Sequence, residues 1–223
     1  MNPSTVKSLV LKDLAMLKLP ILAYWLAGAI AIALVMLGGD RFSTMASILF
    51  ITALAVTGIH PIFQTVAMER TENNLPFIMS LPIAMREYVF AKVIANLGIF
   101  LTVWLTLSAA SLLIFLGDSM PRGMLPFFCI SLVAILLAYV IMLTVALATD
   151  GIGPTIVVVT LANIGTQLYL WLLIDLYDIR SVMYGAVPVW NSTVITILLA
   201  QLVLVVGLIW FAVFVRLSRK DIL

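Results

Sequence analysis

Six long apolar runs, separated by short polar stretches, set the pattern of this chain. They lie at 19–37, 43–66, 88–116, 124–148, 154–174 and 189–215. A hydrocarbon core about 30 Å thick takes roughly 20 helical residues to cross, so each run is long enough to span a membrane. Ahead of them, at residues 3–18, Val6, Leu9, Val10, Leu14 and Leu17 recur at helical spacing. Lys7, Lys12 and Lys18 fall mostly away from that stripe, with Leu11 and Asp13 as exceptions. This pattern predicts an amphipathic helix lying in the interface, capped by Ser4 or Thr5. The first span then starts near Pro20, where a first-turn N–H has no partner to lose. Ala23, Ala27 and Ala31, with Gly28 beside them, offer a small-residue packing face.

The break between the second and third runs is of a different kind. Residues 67–92 hold Glu69, Arg70, Glu72, Arg86, Glu87 and Lys92, together with Pro76 and Pro82. Irregular backbone exposed to lipid would leave donors and acceptors unsatisfied, so this segment belongs in water, at an interface or against a partner. It reads as a docking surface. A helix beginning near Ala67 would carry Glu69 and Glu72 at its positive dipole end.

Composition agrees. Of 223 residues, 64% are hydrophobic and 10% charged, and the mean hydropathy is +1.24. Soluble domains carry roughly 25% charged residues. The expectation is an all-α polytopic membrane protein, one transmembrane domain over 1–223. It has six transmembrane helices, the interfacial helix at 3–18, and a coupling segment at 67–87 between helices two and three. The first 18 residues lack the short apolar core and small-residue site of a cleavable signal. Even span number puts both termini on one side. That side collects Lys7, Lys12, Lys18, Arg70, Arg86, Lys92, Arg216, Arg219 and Lys220, against Arg41, Arg122 and Arg180 on the other. The positive-inside rule makes the first side cytoplasmic. The expected location is the cell membrane of a bacterium.

Several chemistries are missing. No P-loop, H-E-x-x-H or G-x-S-x-G pattern occurs. One His and one Cys leave no metal site of the usual N/S kind, and a net charge of +2 does not suggest nucleic acid. Cys129 reads as a small buried hydrophobe. The segment Asn191, Ser192, Thr193 matches a glycosylation pattern but abuts a span, and reads as a helix start. No charged residue sits in the middle of a span, which counts against a proton-coupled carrier. Energy for transport would then arrive from a cytoplasmic partner.

This layout resembles the membrane subunits of ABC exporters of the ABC-2 permease type. The motif-level match is Glu69-Arg70, a polar stretch over 71–74, an apolar segment over 75–83 with an L-P step, then Arg86-Glu87 and Lys92. Asn73-Asn74 departs from the Gly-Thr or similar pair of many members. The resemblance implies a dimer, with itself or with a related permease, seated on separate cytoplasmic ATP-binding subunits that hold ATP and Mg²⁺, with no cofactor on this chain. It implies ATPase coupling through Glu69, Arg70, Glu72, Leu75, Phe77 and Ile78. It also places the path at the dimer interface, lined by spans two and five. There Thr57, His60 and Gln64, and Thr160, Asn163 and Gln167, each share a helical face at i, i+3 and i+7. Two such stripes would suit an apolar or amphipathic cargo: a drug, lipid or peptide. Equally, they would tie helices together, and His60 beside Pro61 would bond a freed carbonyl. Readings from other classes are a non-transporting assembly or immunity subunit, and a membrane-embedded enzyme built around Asp175, Asp178 and Arg180.

Overall fold

The computed structural model describes residues 3–71, 85–116, 120–149 and 151–218. All regular structure among them is helical. In order these are α1 (Pro3–Met36), α2 (Asp40–Ile62), a π turn (Phe63–Ala67), α3 (Met68–Thr71), α4 (Met85–Leu116), a 3₁₀ turn (Arg122–Met124), α5 (Leu125–Ala148), α6 (Ile152–Ile174), α7 (Tyr177–Arg180) and α8 (Ser192–Ser218). Six helices are long and apolar enough to cross a membrane. The α1 helix packs along α2 and α4, and α5 packs along α8 and α6. Contacts of α5 with α2 and α4 join the two groups.

The fourth span, α5, is the axis. It is apolar all round and buries most of its residues, as a helix without a polar face must. Tyr139 stacks on Phe100 of α4 with ring centroids 3.9 Å apart. The approach is close because α2 presents Gly58, whose added Cβ would come within 2.7 Å of the Tyr139 ring. On the other side α1 meets α4 at Gly28, where an added Cβ would lie 2.3 Å from Leu107. The small-residue face of α1 is therefore Gly28 and Ala31, both buried, whereas Ala23 is exposed and Ala27 half-buried.

Two expectations are corrected here. The amphipathic segment 3–18 is not a separate interfacial helix. It is the opening of one 34-residue helix, about 51 Å long at 1.5 Å per residue. Pro20 removes one N–H, yet the helix runs through it, a tolerance common in packed membrane helices. Val6, Asp13 and Leu17 of this segment are buried and Asp13 bonds Lys92 of α4, so one face of the segment meets protein.

Nor does a new helix begin near Ala67. The second span continues through Pro61, opens into a π turn and runs on to Thr71. The Thr65 hydroxyl donates to the Pro61 carbonyl at 2.8 Å, and Met68 N–H reaches back five residues to Phe63. One extra residue per turn rotates everything after it around the helix axis, which is how π turns re-aim side chains. Glu69 thus lies within a continuing helix, not at a positive dipole end. At the far side of the bundle the expected helix start holds. The Asn191 carboxamide oxygen accepts from Val194 N–H at 2.9 Å, and its amide donates to the Asp178 carbonyl at 2.8 Å.

Candidate functional site: a buried ion cluster joining three helices

Asp13 of α1 is fully buried. It lies on the same face as Val6 and Leu17, in the place the hydropathy stripe assigns to Leu14, which is exposed. Its carboxylate accepts from Lys92 Nζ of α4 at 2.8 and 3.1 Å. The same ammonium reaches Glu69 of α3 at 2.9 Å. Lys12, one residue before Asp13, donates to Glu69 at 2.6 Å and lies 3.4 Å from Asp13. Two cations and two anions therefore alternate around a closed square whose charges cancel.

The square is buttressed on both sides. The Tyr88 hydroxyl donates to Glu69 at 3.1 Å, and Lys92 Nζ lies 5.4 Å from the centre of the Tyr88 ring. One turn deeper, the Asn96 amide donates to Thr65 Oγ1 at 2.8 Å and to the Lys92 carbonyl at 2.9 Å. Tyr88, Lys92 and Asn96 are all buried and recur every four residues, so they share one face of α4. That face meets Asp13 from one helix and Glu69 and Thr65 from another. The π turn matters here because Thr65 lies within it and Glu69 follows it.

Burying charge is costly unless each ion is paired and bonded. Burial acts to raise the Glu69 pKa, but the Lys92 charge and the bonds from Lys12 and Lys92 outweigh it, and the carboxyl is held below its ordinary value. A depressed carboxyl contributes stability that is present above its unfolded pKa and lost as pH falls through its folded one. Thermal stability of the detergent-solubilised protein should therefore be insensitive to pH from 8 to 5. It should decline below about pH 4, and a Glu69→Gln variant should show a shallower decline over that acid range.

Glu69 is thus inside this cluster rather than displayed for a partner. The side chain of Arg70 and all of Glu72, Leu75, Phe77 and Ile78 lie outside the described residues. Asp13, Lys92, Tyr88, Asn96 and Thr65 were not anticipated as site residues, although Asp13 was marked by its departure from the polar face.

The two polar stripes are only partly brought together. Thr57 is buried and bonds its own helix at Ala53 O, 2.6 Å away. His60 Nδ1 pairs with the Tyr24 hydroxyl of α1 at 2.6 Å, a tie to another helix rather than to a freed carbonyl. Gln64 is half-buried. On α6, Thr160 and Asn163 donate to Ile156 and Val159 carbonyls of the same helix. Asn163 and Gln167 do face α2, across a small cavity they share with Ile51, Leu54, Ala55 and Gly58. At the opposite end of the bundle, Asp178 bonds Thr193, and Arg180 lies 3.8 Å from Asp175 with both exposed. These residues tie α7 and the loop beside it to the start of α8. No group of three His, Cys, Asp or Glu capable of holding a metal occurs among the described residues.

Residues 8–218 match the family described as ABC-2 family transporter protein. The chain belongs to that family. It is a multi-pass membrane subunit of an ABC transporter, the permease part. Among curated proteins and solved structures, no significant match is found. In this chain the ion cluster lies where the second span ends and the third begins.

Proposed function

We propose that this permease moves an apolar or amphipathic cargo out of the cell, driven by ATP hydrolysis on a separate cytoplasmic subunit that holds ATP and Mg²⁺. The observation that carries this reading is the ion cluster. Segment 72–84 leaves from α3 and returns through α4, and Glu69 on one side and Lys92 on the other are bonded to each other and to α1. A force applied to 72–84 would reach three helices as one body.

In this reading Glu72, Leu75, Phe77 and Ile78, with Arg70, form the surface that docks on the ATPase, while Glu69 braces it from within. Both termini and the docking segment face the cytoplasm of a bacterial cell, in keeping with nine of twelve cationic residues on that side. The assembly contains a second copy or a related permease. Asn163 and Gln167 contribute to the cargo path, while His60 and Thr57 hold helices.

Gentle solubilisation of the tagged chain from its native membrane, with mass spectrometry of what co-purifies, tests this. The expected result is a stoichiometric soluble protein with a P-loop. A second six-span protein beside it would indicate a heterodimer. No nucleotide-binding partner after cross-linking in the intact membrane would refute the reading and favour a non-transporting assembly subunit.

A further inference from the structure

A cavity of about 360 Å³ opens among α1, α2, α4, α5 and α6. Its walls include Val35, Phe50, Phe115, Phe128 and Trp171. It begins at Ala31, about 27 Å further along α1 than Asp13 at 1.5 Å per residue, so it lies in the half of the bundle away from the ion cluster. Among the described residues, no charged side chain lines it. Three lining serines are committed, because Ser47, Ser111 and Ser131 each donate to a carbonyl of their own helix. Among the described residues, the polar groups left on its wall are the Gln167 carboxamide and the indole N–H of Trp171.

Gln167 also lines a second cavity of about 30 Å³, as do Ile51 and Ile135. Asn163 and Tyr139 border this smaller space, and the Tyr139 hydroxyl is buried without a hydrogen-bond partner. An unpaired buried hydroxyl is costly. A space of this size is large enough for one water, which the Tyr139 hydroxyl and the Asn163 and Gln167 carboxamides could bond across an otherwise mostly apolar wall. The larger chamber therefore has mostly apolar walls and, on its open α6 side, the exposed Gln167, backed by the small recess. Ligand sites commonly have this form: a mostly apolar cleft of about 300–1,000 Å³ with a few placed polar groups.

We propose that this chamber is a binding site, within a single permease subunit, for an uncharged single-chain amphiphile. The chain lies among the aromatic walls, and a hydroxyl or amide head bonds Gln167. Among the described lining residues no counter-ion is offered to a carboxylate or quaternary-ammonium head, and burying such a head unpaired is costly. The physiological meaning rests on the permease reading. The binding test needs no ATPase, so each can fail without the other.

The test is photolabelling of the full chain in lipid nanodiscs with a diazirine analogue of dodecanol, followed by peptide mapping. Saturable labelling is expected within 120–135 and 167–174, competed by dodecanol and not by dodecanoate or dodecyltrimethylammonium. Gln167→Leu should weaken saturable labelling about fivefold, the worth of one neutral hydrogen bond. Ser131→Phe should abolish it by filling the chamber. Ser47→Phe fills the same space from α2 and replaces it if the first variant is not monodisperse. Non-saturable labelling spread over outward residues such as Leu204 and Trp210 would mean simple partition into lipid and overturn the site. Chamber labelling that is equal for the alcohol and the carboxylate, or unchanged by Gln167→Leu, would overturn the assignment of the head group.

Discussion

Replacing Lys92 with Met is expected to destabilise the protein by about 3–5 kcal/mol, the usual cost of leaving a buried ion without its partner. For a chain of this length that is on the order of 10 °C in Tm. Among the described residues, Lys92 is the only cation that Asp13 meets at a fully buried position, because Lys12, its other neighbour, is half-exposed and 3.4 Å away. Removing the ammonium leaves two carboxylates facing one partly solvated cation. Thermal unfolding in a mild detergent, followed by size-exclusion chromatography, measures the effect. A second variant separates lost pairing from lost packing. Asp13→Leu together with Lys92→Met removes one charge of each sign and keeps the 2.6 Å bond between Lys12 and Glu69. Apolar replacement of a whole buried pair is often neutral or stabilising, so the double variant should recover most of the loss. If Lys92→Met alone is as stable as the wild type, the square does not hold charge in the folded protein.

How much of this could be read beforehand depended on the length scale of each signal. Membrane spans are set by runs of about 20 apolar residues, and no packing detail can override them. Six such runs gave six helices. Helix continuity is decided over one or two turns. Pro20 and Pro61 look like boundaries by the rule that proline removes a donor, yet both are inside helices. At Pro61 the structure relieves the fault by a π turn and a threonine bond, neither of which has a periodicity to detect. The Asp13 signal was visible as a fault in the amphipathic pattern, because a carboxylate sat among Val6, Val10 and Leu17. Its buried partner Lys92 lies 79 residues away, and Glu69, which shares that lysine, lies 56 away; only tertiary packing brings them together. The polar stripes show the converse. Spacing put Thr57, His60 and Gln64 on one face, but a helical face says nothing about what it meets. His60 met Tyr24, and Thr57 met its own backbone. Gln167 reached the chamber because α6 is mostly exposed and lends only one side to the bundle.

The same double variant, Asp13→Leu with Lys92→Met, carries the other large expected effect. If the proposed function holds, it should fold and still assemble with an ATP-binding subunit, yet lose ATP-driven transport by a factor of about 5 or more, within the range of about 1–3 kcal/mol typical of coupling between distant sites. The physical reason is that segment 72–84 can move its two flanking helices without moving α1 once the Asp13–Lys92 bond is gone. Glu69 and Lys12 remain as a single tie, partly in solvent and correspondingly weak. Transport of a fluorescent apolar dye into inverted vesicles, divided by ATP hydrolysed in the same vesicles, reports the ratio directly. A fall in the ratio with hydrolysis preserved identifies the square as the joint through which force leaves the docking segment. An unchanged ratio would confine the cluster to folding, and the path of force would then run along α2 and α4 alone, through the stacked Phe100 and Tyr139 rings into α5.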